Sequence, residues 1–140
     1  MNTLGNDTQT QVTLEESYAL AIGFPAASDL VKGQMVKLKN DGTVEKLSAK
    51  TDRPFGLVVK GAATGERATV LTTFMARVNA KAKVDLDEAD VVSVDSYNTT
   101  DKVDVYDKSV TGDFASGIVL TGGLANSTVE IGILRNPFKF

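Results

Sequence analysis

The chain has no cysteine, no histidine and no tryptophan. Without cysteine there is no disulfide, so stability rests on packing and hydrogen bonding alone. Without cysteine and histidine, the zinc, haem and iron–sulfur sites built from those ligands are excluded. A histidine general base and a cysteine nucleophile are excluded with them. Aromatic residues make up only 6% of the chain, so the core must be built from Val, Leu, Ile and Ala, and little ring surface remains for stacking on a sugar. A basic stripe is also lacking. The net charge is -3, the pI is near 4.9, and Lys and Arg are scattered, which argues against a nucleic-acid surface. Long apolar runs are missing too. The most apolar window, Tyr18 to Pro25, falls short of the roughly 20 residues that cross a bilayer. The start, Met1 to Gly5, has neither the basic flank nor the apolar stretch of a secretion signal. The expectation is a chain made in a cytoplasm, with no membrane and no nucleic acid among its partners.

What is present is a β pattern. The 140 residues are 42% apolar, enough for one domain with a real core. Residues Phe55 to Ala82 organise the rest. Phe55 to Lys60 is a short apolar run after Pro54, Gly61 to Glu66 is a tight turn, and alternation follows from Arg67. Ala68, Val70, Thr72, Phe74, Ala76, Val78, Ala80 and Ala82 share one face, because successive strand side chains point to opposite sides. The stretch from Arg67 to Ala82 is far longer than a typical strand of roughly 5–6 residues, so it is expected to bend or to serve two sheets.

Upstream, residues 1–13 are rich in Asn, Thr and Gln and read as an extended N-terminal arm, with a single β domain from 14 to 140. Thr13 and Glu16 have capping-box spacing, allowing one short helix to Ala21. Tyr18, Leu20 and Ile22 alternate with Ala19 and Ala21 as a strand, the preferred of the two readings. Gln34 to Lys39 predicts a strand with Val36 and Leu38 inward, Asn40-Asp41-Gly42 a tight hairpin turn, and Thr43 to Leu47 the return. Val44 and Leu47 are out of phase, which predicts a bulge or an early strand end. Val91 to Tyr97 predicts a strand, and Lys102 to Tyr106 another with Val103 and Val105 inward. Phe114 to Thr121 and Thr128 to Leu134 form the last hairpin. The two terminal phenylalanines, Phe138 and Phe140, are expected to pack on a neighbour or back onto the core.

An internal echo runs through this pattern. Gly56-Leu57-Val58-Val59-Lys60-Gly61 aligns with Gly117-Ile118-Val119-Leu120-Thr121-Gly122, an offset of 61. At that offset Ala68 and Val70 fall on Val129 and Ile131, and Val44 on Val105. The predicted fold is therefore all-β, a small β-barrel or β-sandwich with two similar hairpin modules.

Three stretches carry residues of possible chemistry. Asp85, Asp87, Glu88 and Asp90 form an acidic loop, but it lacks the glycine and spaced glutamate of a calcium loop, so it reads as a solvated turn. Gly61 to Gly65 has the glycines of a phosphate loop without the following Lys-Ser/Thr or a helix to present its amides, and reads as a simple turn. The carboxylates are dispersed, and the hydroxyls lack a base. No catalytic residue, metal site or cofactor is expected, and the chain is not expected to be an enzyme.

The run Leu30 to Leu38, then Asp41-Gly42-Thr43-Val44, then Pro54 to Val59 resembles tailed-phage capsid decoration (cement) proteins over roughly residues 28 to 80. The resemblance implies a protein on the outer surface of an expanded icosahedral shell, made in the host cytoplasm. It would bridge major capsid protein subunits, often as a trimer. In that reading the capsid contact is the arm, Thr8, Gln9, Thr10, Gln11, Val12 and Thr13, adding a strand to a sheet edge of the shell. Competing expectations are another virion structural part, a tail tube or head-fibre base, and a small ligand-binding β module.

Overall fold

The computed structural model describes residues 21–72 and 76–140. The possible helix after Thr13 lies outside these residues. Ten strands are formed among them, in the order β1 Ala21–Pro25, β2 Met35–Leu38, β3 Val44–Lys46, β4 Gly56–Lys60, β5 Arg67–Leu71, β6 Ala76–Ala82, β7 Val91–Asn98, β8 Val103–Lys108, β9 Phe114–Thr121 and β10 Thr128–Lys139. The long alternating run is divided between β5 and β6. The first belongs to one sheet and the second to another, with no change in which parity points inward.

The sheets have the same plan. β1 to β5 form a five-stranded sheet in the order β1-β5-β4-β2-β3, and β6 to β10 form a closed barrel in the order β10-β6-β8-β7-β9. The first sheet also curls on itself, because a parallel bridge joins Ala26, just past β1, to Val44 at the start of β3. Its counterpart in the barrel is the parallel pairing of Ala82 with Tyr106.

The correspondence holds residue by residue. β1 pairs with β5 as Ala21–Leu71 and Ile22–Val70, and β6 with β10 as Arg77–Gly132 and Val78–Ile131. Met35 lies opposite Leu57, and Val91 opposite Ile118. The connections match as well. Leu30 bridges Ala62, and Leu86 bridges Gly123. Asp29 Oδ1 accepts from the Thr64 amide and Asp85 Oδ1 from the Ala125 amide, both at 2.8 Å. Register pairs of this kind are hard to reproduce by chance, since each fixes strand direction, phase and loop length together. The chain is a tandem pair of one β module, module 1 from β1 to β5 and module 2 from β6 to β10.

The inward residues correspond too. Val36, Val44, Val58, Ala68 and Val70 fill module 1. Val92, Tyr106, Val119, Val129 and Ile131 occupy the matching places in module 2. The Asp-Gly turn forms as expected, with Gly42 at φ +83° and Asp41 Oδ1 accepting from the Thr43 amide at 3.0 Å. Val44 and Leu47 are both buried but in different clusters, which accounts for their mismatched phase. The expectation for β8 is corrected. Asp104 and Tyr106 point inward and Val103 and Val105 are only half-buried, because the β7–β8 hairpin turns its inner face onto module 1. Phe138 and Phe140 lie against each other with ring centroids 6.3 Å apart, yet each remains exposed.

One difference between the modules is energetically uneven. Gly33 has φ +92°, and its counterpart Ala89 has φ +72°. In both, the amide bonds across to the next strand, Gly33 to the Val58 carbonyl and Ala89 to the Val119 carbonyl, each at 2.8 Å. A left-handed conformation costs an alanine about 1–2 kcal/mol that a glycine avoids, less what glycine loses in chain entropy. Ala89→Gly is therefore expected to stabilise the fold by roughly 0.5–1 kcal/mol. Urea unfolding of the two proteins checks this, and a lower midpoint for the glycine variant would contradict it.

Candidate functional site: the seam and the open barrel mouth

Two modules that repeat one plan need not bury the same faces, and the differences mark the surfaces with a task. In module 1, Met35, Leu47, Leu57 and Leu71 point away from their own barrel core. Met35, Leu47 and Leu57 are buried in one cluster with Val94, Tyr106, Ala80 and Ile133 of module 2, and Leu71, Ala76 and Val78 pack against it. The outer side of module 1 thus closes the end of the module 2 barrel. An apolar seam of this kind gains roughly 25 cal/mol for each Å² removed from water.

Polar groups fix its register. The Met35 amide donates to Asp104 Oδ2 at 2.8 Å, reaching from β2 to the extended β7–β8 hairpin. Asp104 is only 3% exposed, and burial, partly offset by that hydrogen bond, pushes its pKa up to about 7. Burial and then the nearby Asp104 charge also raise the Tyr97 and Tyr106 hydroxyls, and neither hydroxyl has a hydrogen-bond partner among the described residues. At the rim, Lys50 Nζ lies 3.1 Å from both Asp107 and Asp113 and donates to the Lys108 carbonyl at 2.9 Å. Burial lowers the Lys50 pKa, but the two carboxylates outweigh it and the net shift is upward. The Phe114 amide donates to the Lys50 carbonyl at 2.9 Å, and Lys46 Nζ sits 5.7 Å from the Tyr97 ring centroid. Sequence reasoning missed Asp104 and Lys50. The one available signal was a lone Asp in a Val-rich alternation.

Among the described residues, nothing covers the equivalent end of the curled module 1 sheet. Its inward residues there are Ile22 and Leu38, the counterparts of Val78 and Val94. Val94 is 1% exposed, while Leu38 is 46% and Ile22 39% exposed.

The stretches flagged from sequence lie elsewhere. The arm residues Thr8 to Thr13 fall outside the described residues. The acidic loop spends its carboxylates on backbone amides: Asp85 on Ala125, Asp90 on Asp87, and Glu88 on Gly122. Among the described residues no three His, Cys, Asp or Glu side chains converge as a metal site. The Gly61 to Gly65 stretch is a turn with Gly65 at φ +88°, and its counterpart in module 2 holds Asn126 at +67°.

The chain is similar in fold to the head fiber gp8.5 N base of bacteriophage phi29. The TM-score is 0.55 at 16% sequence identity, over 87% of this chain and 99% of that one. Coverage that high requires both modules to be matched, so the likeness extends to the pair and not only to a single barrel. At this identity it is a likeness of fold. No protein-family model matches the chain, and no curated protein does.

Proposed function

We propose that the protein is a structural component of a tailed-phage head, a capsid-bound base of the kind on which a head fibre stands. The observation that carries this reading is the fold likeness to a phage head-fibre base across both modules. The buried groups are compatible with it. Asp104 and the seam tyrosines are enclosed between modules, and the Asp85, Glu88 and Asp90 carboxylates of the acidic loop are engaged by backbone amides, as suits a part that works by contact and not by turnover. The resemblance of residues 28 to 80 to capsid decoration proteins supports a related second reading, a cement protein bridging major capsid subunits on the outer surface. In either reading the protein acts as a homo-oligomer, a trimer on the shell. Many weak contacts repeated over one particle then give firm attachment.

Mixing the purified protein with expanded, undecorated shells and imaging them by cryo-electron microscopy separates the readings. A base gives discrete knobs that project from the shell, whereas a cement protein gives low density spanning neighbouring capsid subunits. Shells that acquire no density refute both. Removing residues 2–13 tests the arm as the attachment segment, and undiminished binding would dismiss that role.

A further inference from the structure

The way module 1 closes module 2 is head-to-tail, and it leaves one copy of each surface unused. The closing face of module 1 is Met35 and Leu57, paired directly across β2 and β4, together with Leu47 and Leu71. Its counterparts on module 2 are Val91 and Ile118, paired across β7 and β9, with Gly132 in place of Leu71 and Ser109, whose amide bonds to Val91 as that of Leu47 does to Met35, in place of Leu47. The side chain missing at Gly132 is replaced in space by Leu120, which a Cβ on Gly132 would approach at 3.3 Å. On this face Leu120 is 40% exposed, and Val91 and Ile118 are half-buried. The receiving surface on module 2 is the barrel end at Val78 and Val94, and its unused counterpart is the module 1 mouth at Ile22 and Leu38. An apolar face and an apolar mouth, related by the repeat to two surfaces already in contact, are a donor and acceptor for a joint of the same kind, made without the longer β7–β8 hairpin that holds the seam within the chain.

We propose that the protein binds further copies of itself through this joint, with the Val91–Ile118–Leu120 face of one copy closing the Ile22–Leu38 mouth of the next. A joint between unlike surfaces closes into a ring when its rotation permits and otherwise extends as a filament. Covering the mouth removes from water two large aliphatic side chains whose module 2 counterparts are buried (Val94) and half-buried (Val78), which is the driving force for association. The inference does not depend on any shell, because it concerns the free protein.

The test uses the full chain in solution and two single variants, Leu38→Asp on the mouth and Leu120→Asp on the face. Both residues are exposed, so each variant is expected to keep the wild-type circular dichroism spectrum. Ile22→Lys provides a second mouth variant should Leu38→Asp fold poorly. By native mass spectrometry and light scattering the wild type is expected at a multiple of its 14.8 kDa chain mass, and each variant at the single-chain mass. An equimolar mixture of the two variants is expected to form a two-chain species and nothing larger. One intact face meets one intact mouth there, and the remaining pair of surfaces carries both charges. A wild type that stays a single chain overturns the proposal, as it would if residues 1–20 of the same copy covered the mouth. An assembly unchanged by both substitutions, or variants that fail to pair when mixed, also overturns it. Failure of shell binding with this association intact would count against the proposed function alone.

Discussion

Gly56→Ala and Gly117→Ala are each expected to destabilise the protein by about 3 kcal/mol, near the upper end of the usual cost of overpacking a filled interior. The two glycines hold equivalent places at the start of the paired apolar strands β4 and β9. A Cβ on Gly56 would overlap the Leu71 carbonyl oxygen and the Val70 Cγ1 atom. On Gly117 it would overlap Ile131 Cγ2 and come within 2.9 Å of the Gly132 carbonyl oxygen. A flexible side-chain tip can swing away from such an intruder, but a carbonyl belonging to a sheet ladder cannot move without breaking its pairing. Relief would require β4 to separate from β5, or β9 from β10. Gly23 is the matched control, since its nearest neighbour would be Arg67 Nε at 3.8 Å, an ordinary contact. Thermal unfolding should place Gly56→Ala and Gly117→Ala roughly 10 °C below the wild type, with Gly23→Ala close to it. Equal melting temperatures for all three variants would show that the strands have room the structure does not give them.

These glycines also explain why the repeat was visible in the sequence at one end of each module and hidden at the other. From Gly56 to Leu71 and from Gly117 to Gly132 the two hairpins have equal length, so a single offset aligns Gly56 with Gly117, Gly61 with Gly122 and Val70 with Ile131. The glycines persist because backbone crowds them, Gly61 against the Leu30 carbonyl and Gly122 against the Leu86 carbonyl. Before the hairpins the offset changes. Met35 corresponds to Val91 and Leu30 to Leu86, while Val44 corresponds to Tyr106, one place from the Val105 that the hairpin offset predicts. The cause is the β7–β8 hairpin, whose strands of eight and six residues replace strands of four and three in module 1. That extension is the part of module 2 that reaches module 1.

The candidate surfaces were harder to read, for a physical reason. Alternation reports which side of a strand is apolar, but not what covers it. Leu38 reads as an ordinary inward residue and is inward, yet nothing among the described residues closes the barrel over it. Leu57 reads only as part of a short apolar run with no face assigned, and it is a second module that covers it. Asp104 reversed the reading of β8 altogether. A carboxylate flanked by Val103 and Val105 marks the solvent side in most strands, and here its inward side is the seam between modules. The division of the 67–82 run escaped detection because β5 and β6 keep the same inward parity, so no break in alternation announces the passage from one sheet to the other.

Asp104→Asn is expected to stabilise the protein above neutral pH, by an amount that disappears in acid. The folded protein holds the Asp104 proton up to about pH 7 because burial disfavours the charge, whereas the unfolded chain releases it near the ordinary value of about 3.9. Between those limits the folded state binds more protons than the unfolded one, so this group's contribution to stability falls as pH rises. It is fully present below about pH 4, lost progressively to about pH 7, and constant beyond. A shift of this size corresponds to a loss on the order of 4 kcal/mol. Asparagine carries no proton to lose, and its side-chain oxygen can still accept from the Met35 amide, so the buried donor stays satisfied. Other carboxylates act in the opposite direction. Asp52 is raised by burial but lowered on balance by hydrogen bonds from Ser48 and Lys37. Asp29, Asp41 and Glu88 are lowered by bonds from Thr64, Thr43 and Gly122. Their stabilisation is lost on acidification in both proteins, so it cancels in the difference between variant and wild type. Denaturant unfolding from about pH 4 to pH 8 should therefore show that difference growing toward neutrality and then levelling. Exchange of the Met35 amide should identify the seam as the place where the wild type loosens. Parallel stability curves across the range would mean that Asp104 is ionised in the folded protein throughout, and that the seam tolerates its charge.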